Sequence, residues 1–140
     1  MGFGTACERA DEDQHDDGCR MAALCRRLYH GLLEAHPQLR LFGHPTRRVA
    51  GNLNIGFPGV PADELIRNTA ADIAISTGSA CSSTSSEPSH VLLALGLDPD
   101  TAATSVRISL GRFTTEADID RAIETLCGIR SGRLAASERD

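Results

Sequence analysis

Cys81 has the surroundings least suited to a structural residue and best suited to chemistry. It lies in Ser76-Thr77-Gly78-Ser79-Ala80-Cys81-Ser82-Ser83-Thr84-Ser85-Ser86-Glu87-Pro88-Ser89, and from Thr77 to Ser86 every other side chain is Gly, Ala, Ser or Thr. Such a run cannot anchor a core, so a mobile surface loop is expected. A thiol on a pliant arm suits a nucleophile or a carrier. Half the arm, at ~3.3 Å per residue, lets the sulfur travel on the order of 10–15 Å. The plainer alternative is a small residue in a serine-rich turn, but structural cysteines belong in cores. An ordinary thiol, with a pKa of ~8.5, is only about 3% thiolate at pH 7. No activating base or cation is visible within the loop itself.

Arg107 is the second candidate. It stands between Val106 and Ile108 in an alternating run, facing opposite to them. A guanidinium there can grip a carboxylate bidentately, or simply face solvent. Arg112, beside Gly111, is a weaker candidate of the same kind. His90 lies nine residues after Cys81 and could pair with it, but no third group is placed to orient it, so an exposed helix histidine is the simpler reading. Asn52 and Asn54 can bond a neighbouring strand or face a cleft; both readings stay open. Gly78-Ser79-Ala80-Cys81 is not a G-x-S-x-G elbow, so a serine hydrolase is unsupported. Cys25 and Cys127 fall on apolar helical stripes and read as core, while Cys7 and Cys19 have no assigned place.

The elements that must hold these residues follow from periodicity. A helical start over Thr5 to Asp13 is expected, then a break at Gly18. Met21, Leu24, Cys25, Leu28 and Leu32 recur at helical spacing up to about Ala35, before Pro37, with Arg20, Arg26 and Arg27 on a solvated face. Leu39 to Phe42 suggests a short strand, and Gly43-His44-Pro45 a turn. Val49 to Phe57 alternates Leu53, Ile55 and Phe57 with Asn52, Asn54 and Gly56, the pattern of a half-buried strand. A helix over Pro61 to Ala70 and a strand over Asp72 to Ser76 lead into the cysteine loop. After it, Pro88 is placed in the first turn of a helix running to Leu95 and capped by Gly96. Asp98-Pro99-Asp100 reads as a turn. Thr104 to Leu110 is a third strand, and Thr115-x-x-Asp118 opens a last helix with Ile119, Ile123, Leu126 and Cys127 on one stripe. This alternation predicts an α+β (α/β layered) fold, with helices on one face of a small sheet and the other face needing cover from elsewhere.

Composition bounds the function. The chain has 140 residues, is 41% hydrophobic and 24% charged, and carries a net charge of −5. These values suit one soluble domain, and no basic cluster is long enough to follow a phosphate backbone, so nucleic acid is not an expected partner. No apolar run approaches the ~20 residues that span a membrane, and the acidic N-terminus is unlike a signal peptide, so a cytoplasmic location is expected. Five cysteines without a C-x-x-C argue against a disulfide framework or a self-contained zinc site. All 14 basic residues are arginine. Without lysine, neither a P-loop nor an internal Schiff base to pyridoxal phosphate can be built from this chain.

Five stretches together resemble the C-terminal part of a cysteine desulfurase, a pyridoxal-phosphate enzyme of the class V aminotransferase-like group. They are Asn52-Leu53-Asn54-Ile55; Ser76 to Ser83; Glu87-Pro88-Ser89-His90-Val91-Leu92; Ala94-Leu95-Gly96-Leu97; and Val106 to Glu116. The resemblance runs from about residue 2 to about residue 130. It implies a domain over 1–130, the small C-terminal domain of a fold-type I pyridoxal-phosphate enzyme, followed by a polar tail over 131–140. It also implies that Cys81 attacks the sulfur of L-cysteine and carries a persulfide to a sulfur-acceptor protein, and that Arg107 holds the substrate α-carboxylate. Further implications are iron–sulfur cluster assembly or another sulfur pathway, and a homodimer for the full enzyme. The family's N-terminal half, with the Schiff-base lysine, the histidine over the ring and the phosphate-binding residues, has no counterpart in these 140 residues. Residues 1–7 resemble a mid-chain family segment, and Arg67 and Asn68 are more polar than the family's usual helix. A truncated or split desulfurase, dependent on a pyridoxal-phosphate-binding partner half, is therefore expected. A non-enzymatic sulfur carrier or binding module, or a non-functional fragment, is the alternative. A neighbouring reading frame encoding the cofactor half would separate them.

Overall fold

The computed structural model describes residues 2–77 and 88–128. It begins with one long helix, α1 (Gly2–Ala35), followed by two short strands, β1 (Arg40–Leu41) and β2 (Asn52–Gly56). Three helices follow: α2 (Ala62–Thr69), α3 (His90–Ala94) and α4 (Pro99–Ala103). Strand β3 (Ser105–Ser109) and helix α5 (Glu116–Cys127) end the described chain. The sheet is antiparallel in the order β1-β2-β3, with Leu53 opposite Ile108, Ile55 opposite Val106 and Asn54 opposite Arg107. The α+β expectation holds.

Side-chain alternation divides the sheet. Leu53, Ile55, Val106 and Ile108 point to one face, where they meet Leu28 and Leu32 of α1, Leu65 of α2, and Ile119 and Leu126 of α5 in a single core. The opposite face is partly covered too, contrary to the expectation of helices on one side only. Phe42, Leu92 and Ala102 form a second small cluster, joined by Leu97. Phe42 reaches the sheet because residue 56 is glycine: a Cβ there would stand 2.7 Å from two ring carbons. The rest of that face, around Asn52, Asn54, Arg107 and Ser109, stays polar.

Helix α1 runs through Gly18 without the expected break. Glycine costs roughly 1 kcal/mol against alanine in a helix, and here distant contacts offset it. Arg112, from the loop after β3, pairs with Asp13 at 2.5 Å and Asp17 at 3.2 Å. Arg20 donates to the backbone oxygens of Thr114 and Arg112. Residues on both sides of Gly18 are thus tied to one loop. Arg27 makes a forked pair with Asp120 of α5 at 2.8 and 2.9 Å. Arg20 and Arg27 are therefore links between elements rather than a solvated face; Arg26 is exposed. The Arg112 and Arg27 guanidiniums hold the Asp13 and Asp120 carboxyls below the usual range.

Three further boundaries differ from expectation. Asp98-Pro99 starts a helix rather than a turn: Asp98 is the N-cap of α4, accepting from the Thr101 N–H at 2.8 Å, with Pro99 at the first helical position. Pro88 precedes the Ser89 cap and so lies outside α3. The expected strand over 72–76 reduces to one bridge, between Ser76 and Arg107, because the N–H groups of Asp72 and Ile73 both bond the Thr69 carbonyl in the turn after α2. Arg67 and Asn68 cause no packing fault. Both are exposed, with Arg67 paired to Asp63 and Asn68 donating to the Glu64 carbonyl within α2. The capping box of Thr115 and Asp118 is present in full. Gly96 takes φ +86°, and the Gly96 and Leu97 N–H groups bond the Leu93 and Leu92 carbonyls, so α3 ends in a Schellman turn.

Candidate functional site

The candidate site is the polar end of the outer sheet face. Arg107 occupies the middle of β3 and is half-buried. Its N–H and C=O both bond Ser76, at 2.7 and 3.1 Å. With its backbone turned toward Ser76, Arg107 faces Asn54 of β2 as a non-hydrogen-bonded pair, the antiparallel arrangement that brings side chains closest. Asn54 bonds in the other direction, its carbonyl accepting the Phe42 N–H at 2.9 Å. No ion pair or side-chain hydrogen bond joins Arg107 to any other described residue. Six described arginines, Arg20, Arg27, Arg48, Arg67, Arg112 and Arg121, do have carboxylate or backbone acceptors among the described residues; the exposed Arg9, Arg26 and Arg47 do not.

Ser76 matters for a second reason. One residue after it, at Thr77, the described chain reaches the serine-rich segment. Cys81 and the rest of 78–87 lie outside the described residues, as does the polar tail over 131–140. His90 is the first residue of α3 and is exposed. Asn52, half-buried, sits opposite Ser109 at the end of the ladder. Arg112, weighed as a second gripping arginine, is instead committed to the acidic flank of α1.

Sequence reasoning missed Ser105. Its side chain is buried and donates to Asn54 Oδ1 at 2.5 Å. The only available signal was a serine at an alternating strand position, and its partner depends on a register that no local pattern supplies.

The described thiols separate into two classes. Cys25 is buried against the core, and burial pushes its thiol up despite the opposing Arg48 charge. Desolvation likewise pushes Cys127 up. Cys7 and Cys19 are exposed on α1. Limiting iodoacetamide on the native chain should therefore label Cys25 and Cys127 last, because the thiolate is the reactive form. Peptide mass mapping reads the order, and Cys25 or Cys127 labelling ahead of Cys81 would refute it. Among the described residues, no group of three or more His, Cys, Asp or Glu could hold a metal ion. No described helix is long and apolar enough to cross a membrane.

Comparison with known proteins bears on this geometry. The aminotransferase class-V family model matches residues 2–122. The chain is 43% identical over 124 residues to a mitochondrial cysteine desulfurase of Arabidopsis thaliana, covering 89% of this chain and 27% of that protein. It is 44% identical over 128 residues to a cysteine desulfurase IscS of Colwellia psychrerythraea, covering 91% of this chain and 31% of the relative. The chain thus spans less than a third of the length of these relatives. Among solved structures, a NifS-like protein from Rickettsia africae superimposes with a TM-score of 0.75 at 25% identity, over 89% of this chain and 32% of that one.

Proposed function

The chain belongs to the class-V aminotransferase family, and we propose that it supplies the sulfur-accepting part of a cysteine desulfurase. In this reading L-cysteine is the sulfur donor. Cys81 takes up one sulfur atom as a persulfide and passes it to an acceptor protein, and Arg107 grips the donor's α-carboxylate. One observation carries the proposal: the Ser76–Arg107 bridge. It fixes the root of the cysteine segment beside an arginine that no other described side chain engages. Cys81 follows Ser76 by five residues, so covalent length alone keeps it within about 18 Å of the sheet edge.

Membership of the family implies pyridoxal phosphate. The residues of this chain do not by themselves fit that group, because all 14 basic residues are arginine and none can form the Schiff base. The cofactor and its lysine are therefore assigned to polypeptide beyond these 140 residues. The polar sheet face around Asn54 and Arg107 is the surface for it to meet. The absence of lysine also supports a second reading, a sulfur carrier that uses Cys81 without a cofactor.

The test is Arg107→Lys in a complex reconstituted with a cofactor-bearing class-V half. Lysine keeps the charge but loses the planar fork, which should cost ~1–3 kcal/mol in handling L-cysteine, seen as a raised KM. Equal kinetics for wild type and Arg107→Lys would remove Arg107 from the site.

A further inference from the structure

We propose that Asn54 is a second carboxylate-binding residue beside Arg107, and that Ser105 is the positioning residue that orients it. The proposal rests on the reading of Arg107 as a carboxylate grip and extends it to the neighbouring strand.

The side-chain amide of Asn54 has one acceptor and one two-proton donor. The Ser105 hydroxyl, buried in β3, donates to Asn54 Oδ1 at 2.5 Å and so occupies the acceptor side. In this orientation the amide turns its N–H donors away from Ser105. No described residue accepts from them. Asn54 and Arg107 are register partners of the non-hydrogen-bonded type, whose Cβ atoms stand about 4.5–5.5 Å apart on the same face. A guanidinium and an amide NH2 at that spacing, both half-buried, present N–H donors and one positive charge. That combination suits a small carboxylate such as the α-carboxylate of an amino acid. It disfavours a cationic ligand, which the Arg107 charge would repel.

Ser105 is suited to its role because it cannot turn away freely. It is 2% exposed and lies opposite Gly56, where the Phe42 ring closes over the sheet. Its hydroxyl has Asn54 as its partner, and among the described residues no buried side-chain polar atom is left unsatisfied. Removing the hydroxyl would free the amide to rotate, so that its oxygen, an acceptor, could face the ligand instead.

The experiment is an NMR titration of the 15N-labelled 140-residue chain with L-cysteine under reducing conditions, up to its solubility limit. Methylamine hydrochloride serves as the carboxylate-free control. The Asn54 Nδ2–H2 and Arg107 Nε–H resonances are expected to shift with one common midpoint, and neither should respond to methylamine. Asn54→Asp keeps an oxygen for Ser105 but replaces the donor with a like-charged acceptor, so the Arg107 response should disappear while the backbone amide spectrum is retained. Asn54→Ala should raise the midpoint roughly tenfold, the scale of one lost hydrogen bond to a charged group. Ser105→Ala should weaken the Asn54 response several-fold, and Ser105→Thr should restore it. If Arg107 shifts while Asn54 does not, or if Asn54→Asp binds as wild type, the second-donor proposal fails and the Arg107 reading survives. If Arg107 itself does not move, both fail.

Discussion

Supplied with L-cysteine and a pyridoxal-phosphate-bearing class-V half, this chain should gain the mass of one sulfur atom on Cys81; supplied with L-cysteine and free pyridoxal phosphate alone, it should not. The expected exchange is balanced. One sulfur atom leaves L-cysteine, the Cys81 thiol becomes a persulfide, and alanine is left behind. Breaking that carbon–sulfur bond needs an electron sink, which the cofactor supplies only when it is held in place. The chain has no lysine to hold it, so free pyridoxal phosphate should also give no stable Schiff-base absorption once the α-amino group is blocked. What the chain contributes is a thiol within covalent reach of a sheet face bearing Arg107. Cys81→Ser should abolish persulfide formation, by about a thousandfold or more, the scale for losing a catalytic nucleophile. Whole-protein mass spectrometry and peptide mapping read the outcome. Sulfide release by the lone chain would overturn the proposal, and so would an assembled, cofactor-loaded complex that leaves Cys81 unmodified. Sulfur appearing on Cys81 from a small-molecule persulfide donor, with no exchange in the complex, would favour the cofactor-free carrier.

The residues that reason locally were legible in the sequence, and the residues that depend on distant partners were not. Alternation alone identified β3, with Val106 and Ile108 inward and Arg107 outward, because a buried sheet face imposes a period of two on its side chains. The spacing of Thr115 and Asp118 identified the start of α5, because a capping box is satisfied within a single turn. The same local chemistry is present at Asp98-Pro99, where an acceptor followed by proline at the first helical position starts a helix. The continuity of α1 was not legible. Gly18 favours a break, and what opposes it, the Arg112 pairs to Asp13 and Asp17, comes from almost a hundred residues away. The strand expected over 72–76 failed for a similar reason, since the Thr69 carbonyl captures the N–H groups of Asp72 and Ile73 and keeps them in a turn.

The site divides along the same line. Arg107 could be picked out as an arginine in an apolar run, but its closeness to the cysteine segment depends on the Ser76 bridge, which is a matter of strand register. Of the two readings open for Asn54, the bond to a neighbouring strand is the one present. Its carboxamide oxygen accepts from Ser105 on the next strand while it stands opposite Arg107 on the polar face. Cys81 was singled out by composition and lies outside the described residues, so its role rests on the covalent tether and on the chemistry of its neighbours.

Leu28→Ala, which leaves the site untouched, should lower stability by about 3 kcal/mol. Leu28 is 0% exposed and belongs to the core where α1, the inner sheet face and α5 meet. The loss has two parts, the transfer free energy of the removed methyl and methylene groups and the cavity they leave, and buried Leu→Ala changes span roughly 2–5 kcal/mol. Relaxation into the cavity is restricted on the α5 side, because the α1–α5 approach is already close. A Cβ on Gly31, one turn further along α1, would stand 2.6 Å from the Ile123 side chain. A domain of this size has only on the order of 5–15 kcal/mol in hand, so Leu28→Ala removes a large share of it. Val91→Ala, on the exposed face of α3 (54% exposed), deletes a comparable apolar group from solvent rather than from the core and should change stability by less than ~0.5 kcal/mol. Urea unfolding of the three proteins, followed by circular dichroism, measures both values on one scale. A midpoint for Leu28→Ala within error of wild type would mean that α1 does not pack against the sheet as described, and the position of Arg107 relative to the rest of the domain would fall with it.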